Sequence, residues 1–160
     1  MVSIGKHPVH PMLIPFPIGL WVFSFVADVI FLMGWGGPVW NDVAFYTMVG
    51  GMVGALLAAP FGLLDLLSVQ DRVTKRVGTM HMVLNLLIVA LFAVDLWLRR
   101  QTGTGAGTPF TLSAVAMLML LASGWLGGEM VYVHGAGVQP PLQRRETEIR
   151  TEVRTEARRA

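Results

Sequence analysis

The sequence predicts an all-α integral-membrane protein, a four-helix transmembrane bundle with both termini on the cytoplasmic side. Three observations carry that reading. Of the 160 residues, 54% are hydrophobic and only 14% charged, with a mean hydropathy of +0.60, a balance that favours lipid as solvent. Four apolar stretches, residues 13–33, 44–67, 80–98 and 111–133, each reach the roughly 20 residues that a bilayer core about 30 Å thick requires. Lys and Arg gather on one side of those stretches, as the positive-inside rule asks of cytoplasmic segments. Residues 1–138 thus form a four-span transmembrane domain with a short N-terminal arm, and residues 139–160 a charged cytoplasmic tail.

The arm reads His7-Pro8-Val9-His10-Pro11. Each proline fixes its own backbone and biases the histidine before it toward an extended conformation, so two imidazoles are expected on a stiff, strand-like lead. The first span carries Pro15, Pro17 and Asp28 and lacks a small-residue cleavage site, so it is read as a retained helix rather than a signal peptide. In the second span Gly50, Gly51 and Gly54 permit close helix contact, Pro60 removes one backbone donor, and Asp65 lies near the cytoplasmic end. In the third span His81, Asn85, Ile88, Phe92 and Asp95 recur at spacings of three and four, which places them on one inward face. The fourth span holds Gly124, Gly127, Gly128 and Glu129 and closes on His134. In the tail, Glu146 pairs with Arg150 at i,i+4, and Ile149, Val153 and Ala157 form a thin apolar stripe, so a helix is expected there.

An even number of spans puts both termini and the loop between the second and third spans on one side. Lys6, Arg72, Lys75, Arg76, Arg144 and Arg145 fall there, against Arg99 and Arg100 opposite. On the same map His7, His10, His81 and His134 all lie at the cytoplasmic face, with Asp65 and Glu129 in the same layer. Ionisable groups inside a membrane are costly and face the bundle interior. Asp28 and Asp95 lie nearer the opposite surface and are read as structural.

The pI near 9.5 reflects loops and tail rather than a nucleic-acid surface, and the absence of cysteine removes disulfides, iron–sulfur clusters and covalently attached haem. The leading expectation is one non-covalent b-type haem for electron transfer, ligated by His81 and His134 with His10 as the alternative partner, and with Arg72, Lys75 and Arg76 near its propionates. Trp125, Tyr132 and Phe16 are candidate wall aromatics. Quinone or another redox protein is the expected partner. The alternative is a zinc, iron or copper ion held by His7, His10, His81, His134, Asp65 and Glu129; a third reading is a non-catalytic membrane scaffold subunit. A homo-oligomer is expected in either case. No nucleophile–base pair, phosphate loop or dinucleotide fingerprint appears, and enzymatic activity is left open.

The run from His7 to Trp21, which contains His10-Pro11-Met12-Leu13-Ile14-Pro15-Phe16-Pro17-Ile18-Gly19, is followed by Asp28, by His81 with Asn85, and by the glycine-rich segment from Gly124 to Val138. In this order around four spans, over about residues 5–138, the chain resembles an uncharacterised bacterial family, domain of unknown function 2231. The resemblance implies a four-helix inner-membrane fold. Some members carry an attached Rieske-type or cytochrome c-type domain, which implies redox company; this chain has neither. A position often filled by histidine in the family is Pro15 here, so no role is carried over to it.

Overall fold

The structure, a computed structural model, describes residues 2–5, 7–138 and 142–157, without the side chains of residues 142–148 and 153. A two-residue antiparallel ladder joins β1 (Ser3–Ile4) to β2 (His7–Pro8), and six helices follow: α1 (Val9–Leu13), α2 (Pro15–Leu32), α3 (Val39–Ser68), α4 (Arg72–Thr102), α5 (Thr108–Tyr132) and α6 (Leu142–Ala157). Four stretches, Val9–Leu32, Val39–Ser68, Arg72–Thr102 and Thr108–Tyr132, are long and apolar enough to cross a membrane. At 1.5 Å per residue even the 24-residue first stretch reaches about 36 Å, enough for the hydrocarbon core.

Short links set the topology. Residues 33–38 join α2 to α3, residues 69–71 join α3 to α4, and residues 103–107 join α4 to α5, too few for anything but antiparallel hairpins. Gly103 caps α4 at φ 69°, a left-handed conformation that glycine adopts without Cβ strain. α2 borders α3 and α5, and α4 borders α3 and α5, so the bundle closes as a ring with α2 and α4 on one diagonal. The end bearing β1, β2 and the 69–71 link is the terminal end; the 33–38 and 103–107 links form the far end.

The apolar centre is Trp21, Met48, Ile88, Phe92, Ala116 and Leu120. Trp21 stacks on Phe92 at 4.6 Å between ring centroids and donates its indole N–H to the Met48 carbonyl at 3.3 Å. Gly51 makes room for it: a Cβ there would stand 2.5 Å from the indole. Gly50 and Gly54 likewise face Leu20 and Pro17, the close α2–α3 contact expected of those glycines, whereas Gly124 faces open space. Leu57, Leu67, Leu118 and Leu121 point outward, as side chains meeting lipid tails do.

The predicted face of α4 is inward, with Ile88, Phe92 and Asp95 buried. Three expectations change. The arm is extended only through β2; His10 and Pro11 lie in α1, where a proline in the first helical turn removes no bond the helix would make. Arg99, read as a loop charge, is buried in the last turn of α4. Trp125, Tyr132 and Phe16, expected as site walls, are exposed on the outer surface. A helix does form in the tail, with Ile149 exposed. Lys6 and the side chains of Arg144, Arg145, Glu146 and Val153 lie outside the described residues.

Candidate functional site

At the terminal end His10 sits in α1 against α3. Its Nδ1 is 3.1 Å from the Ala58 carbonyl, and Gly62, one turn on, lets the imidazole rest on the helix, since a Cβ there would be 2.8 Å from the ring. His81 sits in α4 against α5 in the same way. Its Nδ1 is 2.9 Å from the Ser123 carbonyl, and Gly127 lies beneath the ring, with an added Cβ 3.3 Å away. Asn85 completes this arrangement by donating to Ser123 Oγ at 2.7 Å and to the His81 carbonyl at 2.8 Å.

A carbonyl oxygen accepts only, so each contact calls for hydrogen on Nδ1, and in the neutral ring Nε2 then keeps the lone pair. Neither Nε2 makes a hydrogen bond among the described residues. Both rings lie at the terminal end. They come from the α1–α2 and α4 legs, one diagonal of the ring of helices.

The other sequence candidates do not join them. His7 is exposed, with Nδ1 2.9 Å from the Gly5 carbonyl. His134 lies beyond α5, its Nε2 3.8 Å from Glu129 Oε1, inside ion-pair range but too long for a hydrogen bond. Asp65 Oδ1 accepts from the Val2 amide at 2.7 Å, tying the β1–β2 turn over this end, while its Oδ2, like His134 Nε2, is buried without a hydrogen-bond partner among the described residues. Arg72, Lys75 and Arg76 are exposed on the first turns of α4. Among the described residues no three His, Asp or Glu side chains converge as a metal ion requires, so the six-residue shell is not assembled.

Between residues 79 and 87 on α4, and from residue 124 to the end of α5, no residue is fully buried. Ser123 and Gly62 are not named from sequence, and Gly127 reads there as an ordinary helix-packing residue, because nothing in the spacing of these positions announces an imidazole.

A family described as a predicted membrane protein, DUF2231, matches residues 6–140. The chain belongs to this family. The match spans the arm, all four spans and His134, and so covers every residue of the imidazole site. No curated protein and no solved structure matches the chain.

Proposed function

We propose that this protein is a haem-binding electron carrier of the bacterial inner membrane, with the ligands His10 and His81. The observation that carries the reading is the paired tautomer: both imidazoles give their Nδ1 proton to a backbone carbonyl and keep Nε2 free, the arrangement in which histidine binds a metal through one nitrogen and is oriented through the other. The donor set suits a b-type haem, which takes two neutral imidazoles and no thiolate. When bound, a haem supplies one-electron transfer, with a membrane quinone or a redox protein as the exchange partner.

The residues themselves orient and exclude. Ala58 and Ser123 hold the two rings, and Asn85 fixes Ser123. Arg76 is the propionate partner if its side chain folds inward from its exposed position. The terminal end is assigned to the cytoplasm because Arg72, Lys75 and Arg76 are exposed there, whereas at the far end Arg99 is internal and neutralised by carboxylates.

The test is the visible spectrum of the detergent-purified protein after incubation with haem. A Soret band lost in both His10→Ala and His81→Ala, and kept in His7→Ala and His134→Ala, is the expected result. Equal spectra in all four variants would refute the ligand pair.

A further inference from the structure

At the far end the bundle encloses a second set of ionisable groups that the imidazole site does not use. Arg99 Nη1 and Nη2 donate to Asp28 Oδ1 and Oδ2 at 2.7 and 2.5 Å, and its Nε donates to Asp95 Oδ1 at 2.8 Å. Ser113 Oγ lies 2.6 Å from Asp95 Oδ2 and 3.3 Å from Arg99 Nη2. Asp28 and Asp95 are fully buried, Ser113 is 1% exposed and Arg99 4% exposed. The groups come from α2, α4 and α5. The other charged groups nearby, Asp42 on α3 and Arg100 on α4, line a cleft of about 250 Å³ with Asn41, Phe45, Tyr46 and Arg99 itself.

The charges do not balance. Two carboxylates and one guanidinium sum to one net negative charge, in a place where water is excluded and an unpaired charge costs several kcal/mol. No carboxylate oxygen is left bare for a metal cation: all four already face Arg99 or Ser113. A proton, in contrast, needs no vacant coordination position. The contact of Asp95 with Ser113 admits a hydrogen pointing either way, because a hydroxyl both donates and accepts.

We propose that the Asp28–Arg99–Asp95 triad is a proton-binding site, holding one proton that belongs to the carboxyl pair and exchanges through the far-end cleft. Arg99 reaches both the carboxyls and the cleft wall and so stands on the exchange route. The cover over that route is the 103–107 link, in which Asn41 Oδ1 accepts from the Gly105 amide at 2.8 Å. Gly105 lies so close to Arg99 and Asp28 that no side chain fits there. The proposal stands on charge and geometry at this end alone and is independent of the haem reading.

The charge count makes the test sharp. Replacing either carboxyl by its amide leaves one carboxylate against one guanidinium, a neutral pair that needs no proton. The full-length protein in lipid vesicles is examined by infrared spectroscopy in light and heavy water. Wild type is expected to show a protonated-carboxyl stretch equivalent to one group per chain, and both Asp28→Asn and Asp95→Asn are expected to lose it. A wild-type spectrum without that stretch, or a stretch that survives in either variant, would overturn the proposal. Wild type alone gives a second reading should a variant fail to fold. A proton bound in the folded state and not in the unfolded one makes stability fall as pH rises. The stretch must then fade on alkaline titration, together with a falling melting temperature; a stretch insensitive to pH counts against an exchangeable proton.

Discussion

The two ends of this bundle handle their polar groups in opposite ways. At the far end every polar atom of Asp28, Asp95 and Ser113 engages a neighbour, and the loop above is tied down by Asn41. At the terminal end each imidazole engages only one nitrogen, and Asp65 Oδ2 and His134 Nε2 are buried without hydrogen-bond partners. Satisfied polar networks fix a structure, whereas unspent hydrogen-bonding and ligating capacity marks where a fold has been kept open for something else. The far end is thus the clasp of the bundle, while the terminal end holds its imidazoles by one nitrogen each.

The largest effect is expected where that clasp is cut. Arg99→Met removes the one cation between two buried carboxyls and should cost about 3–5 kcal/mol, the range for breaking a buried pair by deleting one partner. Thermal unfolding in detergent measures it, and a loss under about 1 kcal/mol would show that the far end does not clasp. Gly105→Ala comes next. Its methyl meets the Arg99 guanidinium and Asp28, so the link must lift, at about 1–3 kcal/mol by analogy with overpacked cores. The same melt reads it.

The comparison sharpens at the other end, where a substitution should alter binding more than stability. Gly62→Val places a side chain against the His10 ring, 2.8 Å away at its Cβ, and should displace that ligand. Under the haem reading proposed above, haem retention is expected to drop at least tenfold in the spectrum, while the melting temperature of the haem-free protein shifts by less than in Arg99→Met. Equal damage to both properties would mean that the two ends do not divide their labour as described.

How legible each end was follows from what each is made of. Spans were readable because lipid demands long apolar runs, and the inward face of α4 because its period survives in the residues 81, 85, 88, 92 and 95. The clasp was half visible. Asp28 and Asp95 stood out as carboxyls within apolar runs, but Arg99 sits beside Arg100 at a helix end, where composition alone suggests a solvated pair. Only the four-residue step from Asp95 to Arg99 hinted that it turns inward. The imidazoles were found through their common layer, yet which of the four rest on a neighbouring helix depends on whether a helix includes the residue. α1 captures His10 and leaves His7 on the strand, and α5 stops before His134. Carbonyl partners such as Ala58 carry no side-chain signature at all.

The smallest expected effect lies in the 69–71 link of the terminal end, at Asp71. This residue caps α4: its Oδ2 accepts from the Thr74 amide and the Thr74 hydroxyl, both at 2.7 Å. The Thr74 amide first, then its hydroxyl, with a smaller contribution from His134, hold the Asp71 carboxyl below its ordinary value of 3.8. A carboxyl with a lowered value stabilises the fold above the unfolded value, and that contribution disappears as pH falls through the folded value. Asp71→Asn keeps an oxygen acceptor for Thr74 and loses the charge, so it should unfold slightly more easily than wild type at neutral pH and match it in strong acid. Asp71→Ala removes the acceptor too and should stay below wild type at neutral pH by a wider margin. Melting curves of the three proteins across the acid range decide the matter: a gap between wild type and Asp71→Asn that fails to close in acid would show that the cap acts through shape alone and not through charge.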